Sequence, residues 1–595
     1  MSRRVAFGFI VLLALAMFAR PLVRGEVLTF RDHSDYFQPL RYFTAVEMRN
    51  FRLPLWNPYN ASGEPWLANP QTAIFYPPFW IFLLVPFAQA YVIFLLLHVV
   101  LLGCGAFLLF SKFASPRAAF FGAIALMLCG PTLSMLDIQN NLTTFAWLPL
   151  VIWCAMERSW FSAPAIALSF LAGEPFFATV GAFAFLCVWT GFSRSGRRKS
   201  VLTLAGIALT SFCLAAITLV PFLAMIAGSD RAGAVPADEV LRDSMPLRDW
   251  ALTFVPFGLT HQHFIPIVFI GIVPALLAIA GIVAIPRVRT ARWWLLLFVL
   301  AVIIASGRFL PPVGWLLVHL PVTILRYPAR VVPLAALALI ALAAIGFDRV
   351  SRAPWMFYAA IALTIIDVVP HIAPLLRSAP FNEHAVPYTR NIGRGGKIIR
   401  IGQPVRAFDR EAWISGYLNL FERRFDAWTA APVLSESYLR EYERALRDPR
   451  ALNEASIEYI LQRGPRGIVV EQNPYACPLA YFRDTAGKLC APAVLAFSTS
   501  GVFIAIDAPG DGTLIVTQQN ASGWSVTIDR APAIALREGV FRAVHVTRGH
   551  HEIVWRYHPR AFWIGVALTI IGIARMLLQK FFVKRQWHKK TFEIA

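Results

Sequence analysis

Long apolar runs broken by short basic loops set the pattern of this chain. A helix needs roughly 20 apolar residues to cross a bilayer, and an excess of Lys and Arg marks the cytoplasmic ends. Basic clusters stand at residues 2–4, 112–117, 194–199, 287–292, 349–352 and 584–590. Helices fitted between them predict about twelve crossings, near residues 5–20, 91–111, 117–136, 142–156, 160–173, 175–192, 200–228, 264–285, 291–306, 329–346, 355–376 and 561–582, with both termini cytoplasmic. Two places are forced by this arrangement. Residues 79–87 follow Pro77-Pro78 and are read as a half-helix dipping from the outer face, because a full crossing would put Lys112 and Arg117 outside. The apolar stretch before RSGRRK must go out and return, and it turns at Gly173-Glu174-Pro175, which places Glu174 at the outer surface.

The polar residues then gather outside, in segments 21–78, 137–141, 173–175, 229–263, 307–328 and 377–558. Residues 1–376 form a transmembrane domain with a large first outer loop, 377–558 an extracytoplasmic domain, and 559–595 a final crossing and basic tail. Within the domain, SESYLREYERALRD at 435–448 reads as a helix. From about residue 480 it is β-rich, and the later runs VFIAIDA, GTLIVTQQ, WSVTIDR, FRAVHVTRG and HEIVWRYH alternate with period two, as a small antiparallel β domain requires. From Tyr36 onward the first loop is imperfectly amphipathic, with Tyr36, Leu40, Phe43 and Phe51 on one arc, which suits a helix lying in the interface plane. No internal repeat or low-complexity tract is visible.

Composition agrees: of 595 residues 57% are apolar and 15% charged, and mean hydropathy is +0.58. That is an α-helical polytopic membrane protein rather than a globular one. The net charge of +21 sits in short loops, so nucleic acid is not an expected partner. The first apolar run lacks an A-x-A-like cleavage site and reads as a retained helix. Five cysteines (Cys104, Cys129, Cys154, Cys187, Cys213) fall inside apolar helices as small core residues, whereas Cys477 and Cys490 could pair if their segment is extracytoplasmic.

Candidate chemistry concentrates outside. Asp32 and Asp35, three apart in RDHSDYFQP, share a face if that segment is helical; they equally suit a cap that balances Arg31 and Arg41. Arg326 and Arg330 flank Tyr327-Pro328 in LRYPAR, where two guanidiniums can hold a phosphate or simply anchor a helix end. Trp56, Trp66, Tyr59 and Tyr76 can stack on a sugar ring or belong to an aromatic belt. Asn57, Glu64 and Glu174 are further candidates for holding substrate, and His261 with His263 is a weak metal pair. No G-x-x-x-x-G-K-S/T, H-E-x-x-H or G-x-S-x-G motif is present, so ATP-driven transport and common hydrolases lose support.

In this order, Asp32 with Pro39, PLWNPYNASGEP at 54–65, FYPP at 75–78, WLPLVI at 147–152, AGEP at 172–175, LRYPAR at 325–330 and GFDRV at 346–350 resemble the YfhO-type bacterial membrane proteins. The tail ASGWSVTIDRAP and RAVHVTRGHHEIVWRYHPRAF extends the likeness over nearly the whole chain. The resemblance implies a GT-C glycosyltransferase of the bacterial cytoplasmic membrane, active at the extracytoplasmic face. It would take sugar from a polyprenyl-phosphate carrier to a cell-envelope acceptor, among membrane lipids. Asp32 would be the base, Asp35 a supporting carboxylate. No cofactor is implied, and a divalent metal stays open. The chain departs from the pattern at Glu174, where many relatives have histidine between glycine and proline, and at Arg530, where a glycine is common. A transporter of lipid-linked saccharide or lipid and a non-catalytic cell-envelope assembly factor are the alternatives. A closed outer cavity holding Asp32 and Arg326 favours the enzyme; a path through the centre favours transport.

Overall fold

The computed structural model describes residues 2–592 apart from 192–196, 234, 257–263, 321–325, 384–391, 394–395, 402–415, 432, 465–466, 488 and 493. His261 and His263 lie outside the described residues, as does the side chain of Cys490; Cys477 carries a free thiol.

Helical segments overlap each of the twelve expected spans, several of them short or broken. Six described helices are long and apolar enough to cross a membrane, which makes this a multi-pass membrane protein: Phe87–Phe110, Ser200–Ile226, Arg289–Phe309, Pro328–Val350, Pro354–Leu376 and Arg560–Leu578. Pro116–Leu128, Ser162–Leu171, Pro175–Gly191 and Ile272–Val283 are shorter apolar helices. Pro328–Val350 is central, with 94% of its apolar stretch buried, while Arg560–Leu578 runs along the edge with 17%. The packing against the central helix is unusually close. A Cβ on Gly346 would sit 1.9 Å from the Leu277 carbonyl, and one on Gly281 2.1 Å from that of Leu342. Small residues at helix contacts let backbones approach in this way.

The expected crossings at 117–136 and 142–156 are broken rather than continuous. Pro116–Leu128 stops at Cys129, Gly130-Pro131 starts a single turn, and the polar run at 137–141 leads into Gln139–Phe145 and then Leu148–Glu157. Residues 118–149 are buried throughout. Irregular backbone in such a protein persists inside the protein or along a cavity; this stretch is buried, and Ile138, Asn140 and Asn141 line a cavity. After Pro77–Trp80 comes the four-residue helix Ile81–Leu84, too short to cross, and the Arg49 guanidinium bonds the Phe82 and Val85 carbonyls that end it.

The chain after the crossings forms a mixed sheet and then a sandwich. Lys397–Ile401 pairs in parallel with Phe425–Asp426 and Ile457–Gly464, and Gly467–Gln472 completes that sheet antiparallel. Glu436–Ala445 is the expected helix, capped by the Ser435 hydroxyl. The sandwich has two antiparallel five-stranded sheets; Gly549–Tyr557 is central in one, flanked by Trp524–Ile528 and Gly501–Ala508, and Gly512–Gln519 is central in the other. Strict alternation along Gly501–Ala508 sends Val502, Ile504 and Ile506 inward against Leu514, Val516 and Val544.

The loop 21–78 shares this core instead of standing apart from it. Trp56 is 1% exposed and packs edge-on against Trp524 and Tyr557, its Nε1 donating to Gln518 Oε1 at 3.1 Å. Glu26–Leu28 pairs antiparallel with Ser378–Pro380, and the buried Lys397 ammonium donates to Ser62 Oγ and to the Ala455 and Thr517 carbonyls. The helix Gln38–Arg49, expected to lay an apolar arc on the membrane interface, is instead covered by protein: Leu40, Arg41, Phe43, Thr44 and Glu47 are all buried. Phe51, expected on its apolar arc, is fully exposed beyond the helix end. Carbonyl acceptors replace the lipid surface, since Arg41 donates to the Gln71 and Thr72 carbonyls and lies over Phe79 and Phe94.

Candidate active site

A cavity of about 320 Å³ opens where the first loop, the 137–141 run, the Gly173-Glu174-Pro175 turn and residues 326–330 meet. Asp32, Glu174, Arg326, Tyr327 and Arg330 all line it, together with Arg231, Asn140 and Asn141. A contiguous pocket of about 100 Å³ shares Glu174, Arg231, Arg326 and Arg330 and adds an apolar wall, Phe222 and Ile226, from the helix Arg197–Ile226.

Each side chain is placed by its local backbone. Asp32 precedes a one-turn π-helix, His33–Phe37, which merges with Gln38–Arg49. Gly173 adopts φ +109°, and a Cβ there would lie 2.9 Å from the Pro70 carbonyl, so only glycine lets the first loop approach the turn. Glu174, expected at the outer surface, is 6% exposed. Its carboxylate accepts from Asn140 Nδ2 at 2.6 Å and the Phe176 N–H at 3.2 Å, and pairs with Arg330 Nη1 at 3.3 Å. Tyr327 sits at φ +62°, a costly conformation for a side chain. Its ring stacks on Phe264 and its hydroxyl donates to Glu239 Oε1 at 3.1 Å. Arg326 pairs with the same oxygen at 2.9 Å and lies over the Tyr327 ring at 4.7 Å.

The lining carries three guanidiniums against two carboxylates. Arg330 Nε is buried with no acceptor among the described residues, so that fork has a donor to spare. Burial, then the neighbouring Arg326 charge, holds the Arg231 guanidinium below its usual range. Behind Asp32, Arg31 pairs with the buried Asp137 at 3.0 Å; burial pushes the Asp137 carboxyl up against that pairing, and the charge of Asp32 adds to the rise. Among the described residues no three His, Cys, Asp or Glu side chains are grouped to hold a metal ion.

The remaining candidates lie elsewhere. Asp35 is buried one turn along, its carbonyl accepting from the Tyr417 N–H at 2.7 Å, and does not line the cavity. Trp56 is in the loop–sandwich core described above. Asn57 and Glu64 close a small turn on each other, Asn57 Nδ2 donating to Glu64 Oε1 at 2.9 Å, and Thr429 Oγ1 donates to Glu64 Oε2. Burial pushes Glu64 up to about 7, and it lines a separate cavity of about 300 Å³. Arg231, Glu239, Asn140 and Asn141 are the residues that sequence reading did not single out. The signal for the asparagines was present in a run of polar residues between two apolar helices.

No family model matches the chain, and no curated protein matches it. Among solved structures, arabinofuranosyltransferase AftD from Mycobacteria is similar at 13% identity, with a TM-score of 0.49 over 92% of this chain and 40% of that one. A variant of the same protein gives 0.50, over 94% and 42%. The oligosaccharyltransferase of Archaeoglobus fulgidus, in complex with Zn and sulfate, gives 0.38 at 11% identity, over 82% and 72%. The chain spans about two fifths of the length of AftD, and over that part its fold is similar to that of this mycobacterial arabinofuranosyltransferase.

Proposed function

We propose that the chain is a membrane glycosyltransferase of the GT-C architecture, moving a sugar from a polyprenyl-phosphate donor to an acceptor hydroxyl of the cell envelope. One observation carries this reading: a carboxylate just past the first helix and a guanidinium pair almost 300 residues later line one cavity beside an apolar wall. A lipid-linked sugar phosphate needs that combination, with its tail against Phe222 and Ile226, its phosphate against arginine and its anomeric carbon facing a base. The similarity of fold to an arabinofuranosyltransferase points the same way.

Asp32 removes the proton of the acceptor hydroxyl, whose oxygen attacks the anomeric carbon. The bond from that carbon to the phosphate oxygen breaks on the opposite face, so configuration inverts. A positioned base contributes about 10²–10⁴-fold. Charge grows on the departing phosphate, and Arg326, Arg330 and Arg231 are the groups present to meet it, bidentately where the fork allows. Glu239 and Glu174 hold the first two in place.

Asp32→Asn is expected to abolish transfer in membranes while the protein still inserts; full transfer would remove Asp32 from the mechanism. Arg326→Ala is expected to weaken use of donor more than use of acceptor, and equal effects would leave it an anchor.

A further inference from the structure

Gln139, Asn140 and Asn141 are at most 2% exposed, and they stand between two apolar helical stretches. Both amide atoms of Gln139 and of Asn141, and Oδ1 of Asn140, have no hydrogen-bond partner among the described residues. Unpaired buried polar atoms destabilise a fold and are rare for that reason. Asn140 Nδ2 is used by Glu174, but none of the other amide atoms serves the packing, and the neighbouring Leu142, Phe145 and Ala146 fill the same helix with apolar side chains. Asn140 and Asn141 nevertheless line the cavity that holds Asp32.

We infer that Asn140 and Asn141 read the hydroxyl groups of the transferred glycosyl unit, and that this unit is a neutral sugar. The inference rests on the glycosyltransferase reading of the cavity. An amide offers a donor and an acceptor together, which a sugar hydroxyl matches because it both donates and accepts. A phosphate only accepts, and it would leave the amide oxygens unpaired; the guanidiniums shared with the adjoining pocket are its partners instead. A carboxylate on the sugar would lie against Asp32 and Glu174 in that lining, where the guanidiniums of Arg231, Arg326 and Arg330 are already engaged by Asp230, Glu239 and Glu174 and face the phosphate. A volume of about 320 Å³ lies at the small end of ligand sites, so it suits one ring rather than a chain of them.

The test uses the full chain in nanodiscs, titrated with a short polyprenyl phosphate and with the same carrier bearing glucose, arabinofuranose or glucuronic acid. Wild type is expected to prefer the neutral glycosides over the bare carrier. Asn141→Leu is expected to reduce that preference about tenfold, the worth of one or two lost hydrogen bonds, to leave binding of the bare carrier unchanged, and to raise the Tm of the unliganded protein by removing an unpaired amide. An undiminished preference, an equal loss for both ligands or a lowered Tm overturns the inference. Tight binding of the glucuronide overturns neutrality. If Arg326→Ala loses carrier binding while Asn141→Leu keeps the preference, the enzyme reading stands and this one falls. If wild type prefers no glycoside at all, both fall.

Discussion

Glu64 carries a pH response that the rest of the molecule must absorb. Burial raises its carboxyl from the ordinary 4.5 to about 7, so between those values the folded state holds a proton that the unfolded chain has released. Stability contributed by that proton is complete below about 4.5 and is lost as pH rises through 7, at up to about 1.4 kcal/mol per pH unit. Glu64→Gln is expected to remove this fall, so thermal melts of variant and wild type diverge as pH rises from 5 to 8; parallel curves would show the carboxyl ionised throughout. Single residues were legible in the sequence where they broke a pattern. Asp32 follows a crossing at once, Glu174 sits in a Gly-Glu-Pro turn, and the Arg326–Arg330 pair marks a helix end. Their carboxylate and amide partners were not, because Glu239 stands 87 positions from Arg326 and Asn140 34 from Glu174, and no local period links them.

Between elements, the tightest constraint is the pair of glycines that joins Ile272–Val283 to Val332–Val350. Gly346→Ala forces a methyl to within 1.9 Å of a backbone carbonyl, so the helices must separate. The expected loss is about 1–3 kcal/mol, seen as a lowered Tm in detergent, while Gly8→Ala, with nothing within 4 Å, leaves the melt unchanged. A melt of Gly346→Ala equal to wild type would show that the approach is looser than described. Strands of the sandwich were readable because one face is buried and the other is not, as Gly501–Ala508 shows. The helix Gln38–Arg49 misled for the converse reason. Its polar side chains are buried too, Arg41 and Glu47 finding carbonyls and arginines from distant segments, so the amphipathic arc had no membrane surface to match. Likewise an apolar average over 117–156 cannot register the break at Gly130-Pro131.

At the scale of the molecule, the first loop and the last domain are one body. Trp56→Ala removes the ring seated between Trp524 and Tyr557, at an expected cost of about 3–5 kcal/mol. Limited proteolysis is expected to open the loop around residues 50–70 in this variant and not in wild type; equal resistance would mean that the remaining clasps suffice. Sequence divided these regions into a membrane domain with a loop and a separate outer domain, since a contact between residues so distant leaves no trace in either. The same joint sets a timetable for synthesis. Trp56 and Gln518 are 462 positions apart, so at about 5–20 residues per second the ribosome takes roughly 20–90 s to deliver the partner. Throughout that interval the segment bearing Asp32 has been made but cannot reach its final shape. The cavity is thus among the last features to form during biogenesis, and an unfinished chain carries it only in an unassembled form.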